Sequence, residues 1–296
     1  MHSLINKIQS KIKSNISLDY DMSKSTWFRT GGNALGYVIV NSISDLKTII
    51  SYSDQIKYYI VGVGSNLMVR DGGFDGLIIK LGKNFNKIKI HKDTLSVGAG
   101  VLDVNLAKFA LQKSIKDFEF FSGIPGTIGG AIKMNAGCYG SQTADNLKRI
   151  LVINKLGKIK YLTKDELELK YRSSNLTDEL IVLKADFRFK YSSVSEIIEK
   201  KNYIKLKREN SQPIKEKTSG STFKNPSGEY AAALIEKAGC KGMKNGGASV
   251  STIHSNFIIN TGEATALDIE NLGKKIIKQV QYKFGITLDW EIKIIG

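Results

Sequence analysis

The chain has 296 residues, 42% of them hydrophobic, with only 3 prolines and a formal charge of +16. That length suffices for two or three packed domains with a large core, and the composition excludes a disordered chain. No apolar run approaches the roughly 20 residues of a membrane span, and Cys138 and Cys240 are too few for a disulfide framework.

His2, His91 and His254 are scattered, so no metal site is expected, and a reduced, cytoplasmic protein is. Lysines run through the whole length without a stripe of stacking aromatics, which argues against nucleic acid as a partner. The charge reads either as a field that draws in a small polyanion or as a solvated surface.

In chain order, MHSLINKIQSKIKSNISL reads as a basic amphipathic surface helix with Leu4, Ile5, Ile8, Ile12 and Ile16 on one side. It lacks the continuous apolar core and cleavage site of a signal peptide. Ala34 to Val40 is a strand, and Ser44 caps a helix that runs to about residue 54. Tyr58 to Val61 is a short strand leading into Gly62-Val63-Gly64-Ser65-Asn66, where backbone and side-chain donors suit phosphate oxygens or make an ordinary turn. Leu67 to Val69 and Leu77 to Leu81 resume strands around the Asp71-Gly72-Gly73 turn, and Ile88 to His91 and Leu95 to Val97 follow. A helix with Leu102, Leu106, Phe109 and Ala110 on its apolar side delivers the chain to Phe121 to Gly140.

That stretch, FSGIPGTIGGAIKMNAGCYG, is the one the chain is organised around. Glycines at 123, 126, 129, 130, 137 and 140 and a turn fixed by Pro125 leave backbone amides exposed, as an anion-binding concavity needs. A tightly packed glycine-rich hairpin is the other reading. The G-x-G pairs at Gly62 and Gly98 lack the third glycine and the frame of a nicotinamide-dinucleotide fingerprint.

Beyond it, Ile150 to Ile153 and Ile159 to Leu162 form a hairpin, Thr163 with Glu166 opens a short helix, and Leu180 to Phe187 is a strand. Ser192 to Arg208 is a lysine-rich helix with Val194, Ile197, Ile198 and Ile204 on its apolar side, connecting two lobes. Tyr230 to Ala238 is a helix stopped by Gly239. Thr265 with Asp268 caps a last helix carrying Ile269, Leu272, Ile276 and Val280, which Gly285 ends before a strand from Asp289 to Ile295.

Several of these segments, taken in order, resemble one family. Gly62 to Asn66, Gly123 to Gly130, Asn135-Ala136-Gly137, Tyr171-Arg172, Gly220 to Pro226, Val250-Ser251 with His254 and Asn256-Phe257, and the ending from Glu291 to Gly296 are similar to UDP-N-acetylenolpyruvoylglucosamine reductase. The match runs from about Trp27 to the last residue. The chain looks like the shorter subclass, since there is no room between Arg172 and Ser221 for the Tyr-bearing loop of the longer enzymes.

The resemblance implies an α+β protein: a two-lobe FAD-binding fold of the PCMH type, then a C-terminal α+β substrate domain. The expected division is an N-terminal helix at 1–22, lobes at about 23–85 and 86–195, and the substrate domain at 196–296. The implied activity is NADPH-driven reduction of the enolpyruvyl ether of a UDP-amino sugar in cell-wall synthesis, by a monomer without nucleic-acid or membrane partners. FAD is expected to be non-covalent, held by Gly62, Gly64, Ser65, Asn66, Gly123, Pro125, Gly126, Thr127, Gly129, Asn135, Ala136 and Gly137. Substrate is assigned to Tyr171, Lys224 and Asn225, and the chemistry to Arg172, Ser221 and Glu291. Reduction of an alkene conjugated with a carboxylate needs a hydride, a cation for the enolate-like charge and a proton for the other carbon. Arg172 suits the charge, Ser221 the proton, and a protonated Glu291 the rearrangement between them. On local sequence alone these three would be a surface arginine, a turn hydroxyl and an exposed strand acid. The alternatives are another FAD oxidoreductase of the same flavin fold, or a basic nucleotide-binding module without catalysis.

Overall fold

The computed structural model describes residues 1–296. They form two compact units that are interleaved in sequence. The first comprises Met1–Asp19, Leu35–Gly62 and Gly76–Lys207; the second comprises Tyr20–Ala34, Val63–Asp75 and Arg208–Gly296.

In the first unit, one sheet has the strand order Ile16–Asp21, Asn33–Val40, Phe74–Leu81, Lys57–Val61. The last two run parallel, in register from Lys57 opposite Gly76 to Val61 opposite Lys80. The second sheet is antiparallel throughout, in the order Ile159–Thr163, Leu147–Asn154, Leu180–Arg188, Thr94–Gly98, Ile88–His91. Both sheets feed one core that includes Val38, Val40, Leu77 and Ile79 from the first and Val97, Ile150 and Ala185 from the second. Phe118, Phe121 and Phe187 pack on one another inside it, with ring centroids 5.7–6.4 Å apart.

Helix ends show where local sequence decides and where packing does. The N-terminal helix is only His2–Gln9, not the longer one its apolar periodicity predicts. Ser14 is pulled out of helical geometry by Asp45, whose Oδ2 accepts from both its amide (2.8 Å) and its hydroxyl (2.6 Å), and Ile16 is buried from a strand instead. The next helix, Ile43–Ile50, is capped by Ser42 rather than Ser44, because Ser42 Oγ accepts the Asp45 amide. In the long helix Val194–Ser211 only Ile197 and Ile204 are buried, while Val194 and Ile198 face solvent.

The second unit packs the helices Ala231–Lys237 and Ala266–Phe284 on a three-stranded antiparallel sheet, Lys244–Asn245, Ala248–Val250, Ile258–Asn260. The long helix carries the expected capping box at Thr265 and Asp268 and ends on left-handed Gly285. Ile269, Leu272, Ile276 and Val280 are all buried.

The linear division expected at residue 195 differs from these units. Segments 20–34 and 63–75 belong with the C-terminal residues, for reasons visible in side chains. Phe28 and Met68 sit in the same core as Leu234 and Ile269. Strand Leu67–Val69 pairs in parallel with Lys293–Ile295. Asp71 accepts the Ala266 and Leu267 amides, 2.8 and 2.9 Å away, and so caps the last helix from a distant part of the chain. Arg70 adds an ion pair to Glu270 at 2.9 Å.

Candidate functional site

Each unit contains one region where the predicted site residues gather. In the first, three glycine segments meet. The amides of Ile128 and Gly129 donate to the carbonyls of Val101 and Ala99 (2.9 and 2.8 Å), and the Asp103 amide donates back to Gly126 (3.1 Å). A Cβ on Gly129 would lie 3.2 Å from Ala99, and one on Gly62 would lie 2.6 Å from Thr127 Oγ1. Thus Gly62, Gly98-Ala99-Gly100 and Gly126 to Gly130 share one place, which backbone and short side chains fill. The amides of Gly126 and Thr127 make no hydrogen bond within the protein. Two such donors in a glycine-lined turn form a cradle that fits the diphosphate of a dinucleotide cofactor.

Gly126 itself has a different neighbour from the one its sequence suggests. A Cβ there would meet Asp103 Oδ2 at 2.4 Å. Asp103 is fully buried, neither carboxyl oxygen has a partner, and burial pushes its carboxyl well above the usual range. The sequence reading did not single it out, because an acid in the first turn of the helix Asp103–Gln112 reads as an ordinary dipole partner. Nothing in its local setting, Val101-Leu102-Asp103-Val104-Asn105-Leu106, marks it out.

Asn135, Ala136 and Gly137 form the edge of this region and are heavily used by the fold. Asn135 has a positive φ of 41°, donates to Gln142 Oε1 (2.9 Å) and Lys170 O (3.1 Å), and accepts the Ala144 amide (3.0 Å). Ala136 O accepts both the amide and the hydroxyl of Thr143, at 2.9 and 2.8 Å. Gly137 O accepts from Arg172 Nη2 at 2.8 Å, and the Arg172 guanidinium lies 5.0 Å from the centre of the Tyr171 ring. Arg172 has a φ of 53°. A left-handed arginine is strained by about 1–3 kcal/mol, a cost met mostly at functional positions. Hydrogen bonds to Lys170 and Arg172 therefore tie the Tyr171–Arg172 turn to the end of the glycine-rich stretch.

The second region lies in the second unit, around residues 221–225. Thr222 O accepts the Glu291 amide (2.9 Å), and Asp289 O accepts the Lys224 amide (2.8 Å). Asn256 clamps the same strand: its backbone carbonyl takes the Thr222 amide (2.8 Å), its Oδ1 takes the Phe223 amide (3.0 Å), and its Nδ2 donates to Phe223 O (2.8 Å). Phe223 packs against Trp290, the rings tilted with centroids 5.0 Å apart. Ser221 is thereby adjacent in sequence to the residue that pairs with Glu291, and both are partly exposed. Asn225 Oδ1 accepts the Ala231 amide (3.0 Å), so that oxygen serves the start of the helix Ala231–Lys237. Asn66 behaves alike: its Nδ2 donates to Glu291 O (3.1 Å) and its carbonyl accepts the Lys293 amide (2.9 Å). Gly64 has φ +69° and a would-be Cβ 1.8 Å from Ser25 O. Of the expected 62–66 loop, Gly62 belongs to the first unit, while Gly64, Ser65 and Asn66 belong to the second. Arg172 likewise belongs to the first, and Ser221, Lys224 and Glu291 to the second.

Residues 34–163 match the FAD binding domain family. With two sheets on one core and a glycine-built cradle, this defines an FAD-binding flavoprotein of the PCMH type that carries a second α+β unit. Residues 212–295 match the C-terminal domain of UDP-N-acetylenolpyruvoylglucosamine reductase. Enzymes of that name from Rickettsia typhi (strain ATCC VR-144 / Wilmington) and Rickettsia conorii (strain ATCC VR-613 / Malish 7) are 46% and 44% identical over 286 residues, 96% of this chain and 97% of each relative. The crystal structure of UDP-N-acetylenolpyruvylglucosamine reductase from Thermus caldophilus superposes with a TM-score of 0.83 at 31% identity, covering 96% of this chain and 99% of that one. The chain belongs to the UDP-N-acetylenolpyruvoylglucosamine reductase family.

Proposed function

We propose that the chain catalyses the NADPH-driven, FAD-dependent reduction of UDP-N-acetylglucosamine enolpyruvate to UDP-N-acetylmuramate, a step of peptidoglycan precursor synthesis. The observation that carries this reading is a family likeness over nearly the whole chain, in which both the flavin and the C-terminal family domains are matched.

FAD, when bound, would supply the hydride chemistry that links NADPH to the substrate alkene. The residues around it do the rest. The unpaired Gly126 and Thr127 amides, with Gly62 leaving room for the Thr127 side chain, hold the diphosphate. Arg172 holds the substrate carboxylate and offsets the charge that grows on it as hydride arrives. Its contacts with Gly137 and Tyr171 fix the guanidinium in one direction. Ser221 gives a proton to the other carbon, and Glu291, anchored one pairing away through its amide, shares the charge rearrangement. Tyr171, Lys224 and Asn225 contact substrate. The protein works as a monomer in the cytoplasm; no helix in it is long and apolar enough to cross a membrane.

The deciding experiment is anaerobic. NADPH should bleach the yellow flavin of the purified protein, and UDP-N-acetylglucosamine enolpyruvate should restore the colour with formation of UDP-N-acetylmuramate. Reduction without reoxidation by that substrate would overturn the assignment.

A further inference from the structure

Among the buried acids of the first unit, Asp103 is the exception. Asp45 Oδ2 accepts two hydrogen bonds, from the amide and the hydroxyl of Ser14. Asp186 is held by Arg149 (2.8 Å) and Ser96 (2.7 Å). Glu119 accepts the Asp117 amide at 3.1 Å and has Lys200 Nζ 3.3 Å away. Asp103 has neither a donor nor a cation, although none of its surface is exposed.

A carboxyl in such a setting stays protonated, since burial opposes the charged form and nothing nearby stabilises it. It then presents one O–H donor. Its location gives that donor a direction. Gly126 lies against Oδ2, so closely that a Cβ would be 2.4 Å from it, and the Asp103 amide is bonded to Gly126 O. The next donors along this backbone, the Gly126 and Thr127 amides, are themselves unpaired. Three hydrogen-bond donors without protein acceptors are thus brought together, one on Asp103 and two on the backbone it packs against. An ionised aspartate would repel an anion at this place, whereas a protonated one adds to the cradle.

We propose that Asp103 is a cofactor-binding residue, donating a hydrogen bond to the diphosphate of FAD directly or through one ordered water. This rests on the reading that the 123–129 loop holds that diphosphate. It explains why the fold retains an acid where an apolar residue would pack at no cost: the partner missing from the protein is supplied by the ligand. A residue that merely shaped the loop would act through its volume, and its hydrogen-bonding group would be immaterial.

The test compares Asp103→Asn, which keeps a neutral donor at the same size, with Asp103→Ala. FAD would be removed from each protein and its rebinding followed by quenching of flavin fluorescence. The Asn variant should bind within about threefold of the parent. The Ala variant should bind about tenfold or more weakly, the usual scale for one lost hydrogen bond in a buried place. If Ala binds FAD as tightly as the parent, or if Asn loses as much as Ala, the proposal is overturned. Should the Ala variant fail to fold, the Asn variant still decides: the ³¹P resonances of its bound FAD must move from those of the parent, and unchanged resonances refute the contact. Thr127→Ala and Gly62→Val separate this from the loop reading. If they alter FAD affinity and the Asp103 variants do not, only the role of Asp103 fails; if none of them does, the loop reading fails too.

Discussion

The two candidate regions are built by different means. In the first unit the glycine segments present backbone: the amides of Gly126 and Thr127 are the proposed functional groups, and the absent side chains at 62 and 129 allow the packing. In the second unit the proposed functional groups are side chains, Ser221, Lys224 and Glu291, carried on two short segments that pair through Thr222 and Asp289. A backbone-built site is sensitive to any atom added to it. A side-chain site is sensitive to the identity of one group and tolerant of its surroundings. The two therefore break in different ways.

The largest effect is expected where a single group carries chemistry. Ser221→Ala removes a hydroxyl, little volume and no charge, and leaves the Thr222–Glu291 and Asn256 hydrogen bonds in place. Flavin reduction by NADPH should proceed near the parent rate, and reoxidation by the enolpyruvyl substrate should slow by roughly 10²–10⁴-fold. Stopped-flow traces of the two half-reactions measure this. Equal slowing of both, or none of the second, removes the role given to Ser221.

The glycines offer a sharper contrast, within one short loop. Gly64 has a left-handed backbone and would drive a Cβ to 1.8 Å from a backbone oxygen, so Gly64→Val should destabilise the second unit by about 3 kcal/mol or more. Gly62 would meet only the end of the Thr127 side chain, at 2.6 Å, which can rotate away. Gly62→Val should therefore stay folded and lose flavin. Thermal melts beside the flavin absorbance of each purified variant distinguish the two; a folded, yellow Gly62→Val protein would sink the backbone-built view of the first region.

How much of this was legible in the sequence follows the same divide. Glycine spacing announced the first region, because residues without side chains concentrated in 20 positions have few uses. Periodicity also found the last helix with both its caps. It overextended the first helix, since the contact that breaks it comes from Asp45, 31 residues away in sequence from Ser14. The interleaving of the units was invisible for that reason: Asp71 caps a helix that begins about two hundred residues later, and no local pattern encodes such a pairing. Ser221, Arg172 and Glu291 were found only through the family resemblance, as isolated serines, arginines and acids look alike in any window. Asp103 escaped both routes. Its oddity is the lack of a partner, which only a structure displays.

Two acids carry the comparison into pH. Burial without a partner raises the Asp103 carboxyl. Glu270, in the second unit, is lowered from 4.5 to about 2 by hydrogen bonds from Arg70 and Lys274, which outweigh its burial. A carboxyl with a depressed folded-state pKa contributes stability above its unfolded value, and that contribution disappears as pH falls from about 4.5 through about 2. Arg70 is 48% exposed, so solvent screens the pair, and the contribution is about 1–2 kcal/mol rather than the full shift. Glu270→Gln should therefore be less stable than the parent by that amount at pH 7, with the gap closing below pH 4. For Asp103 the sign reverses. Its raised value makes the parent progressively less stable as pH climbs above the unfolded carboxyl range, so Asp103→Asn should gain on the parent between pH 5 and 8 in flavin-free protein. Denaturant melts of both variants across that range give the two slopes. Parallel curves for Asp103→Asn and the parent would mean that the carboxyl is solvated after all, and that the first region is not as dry as its packing implies.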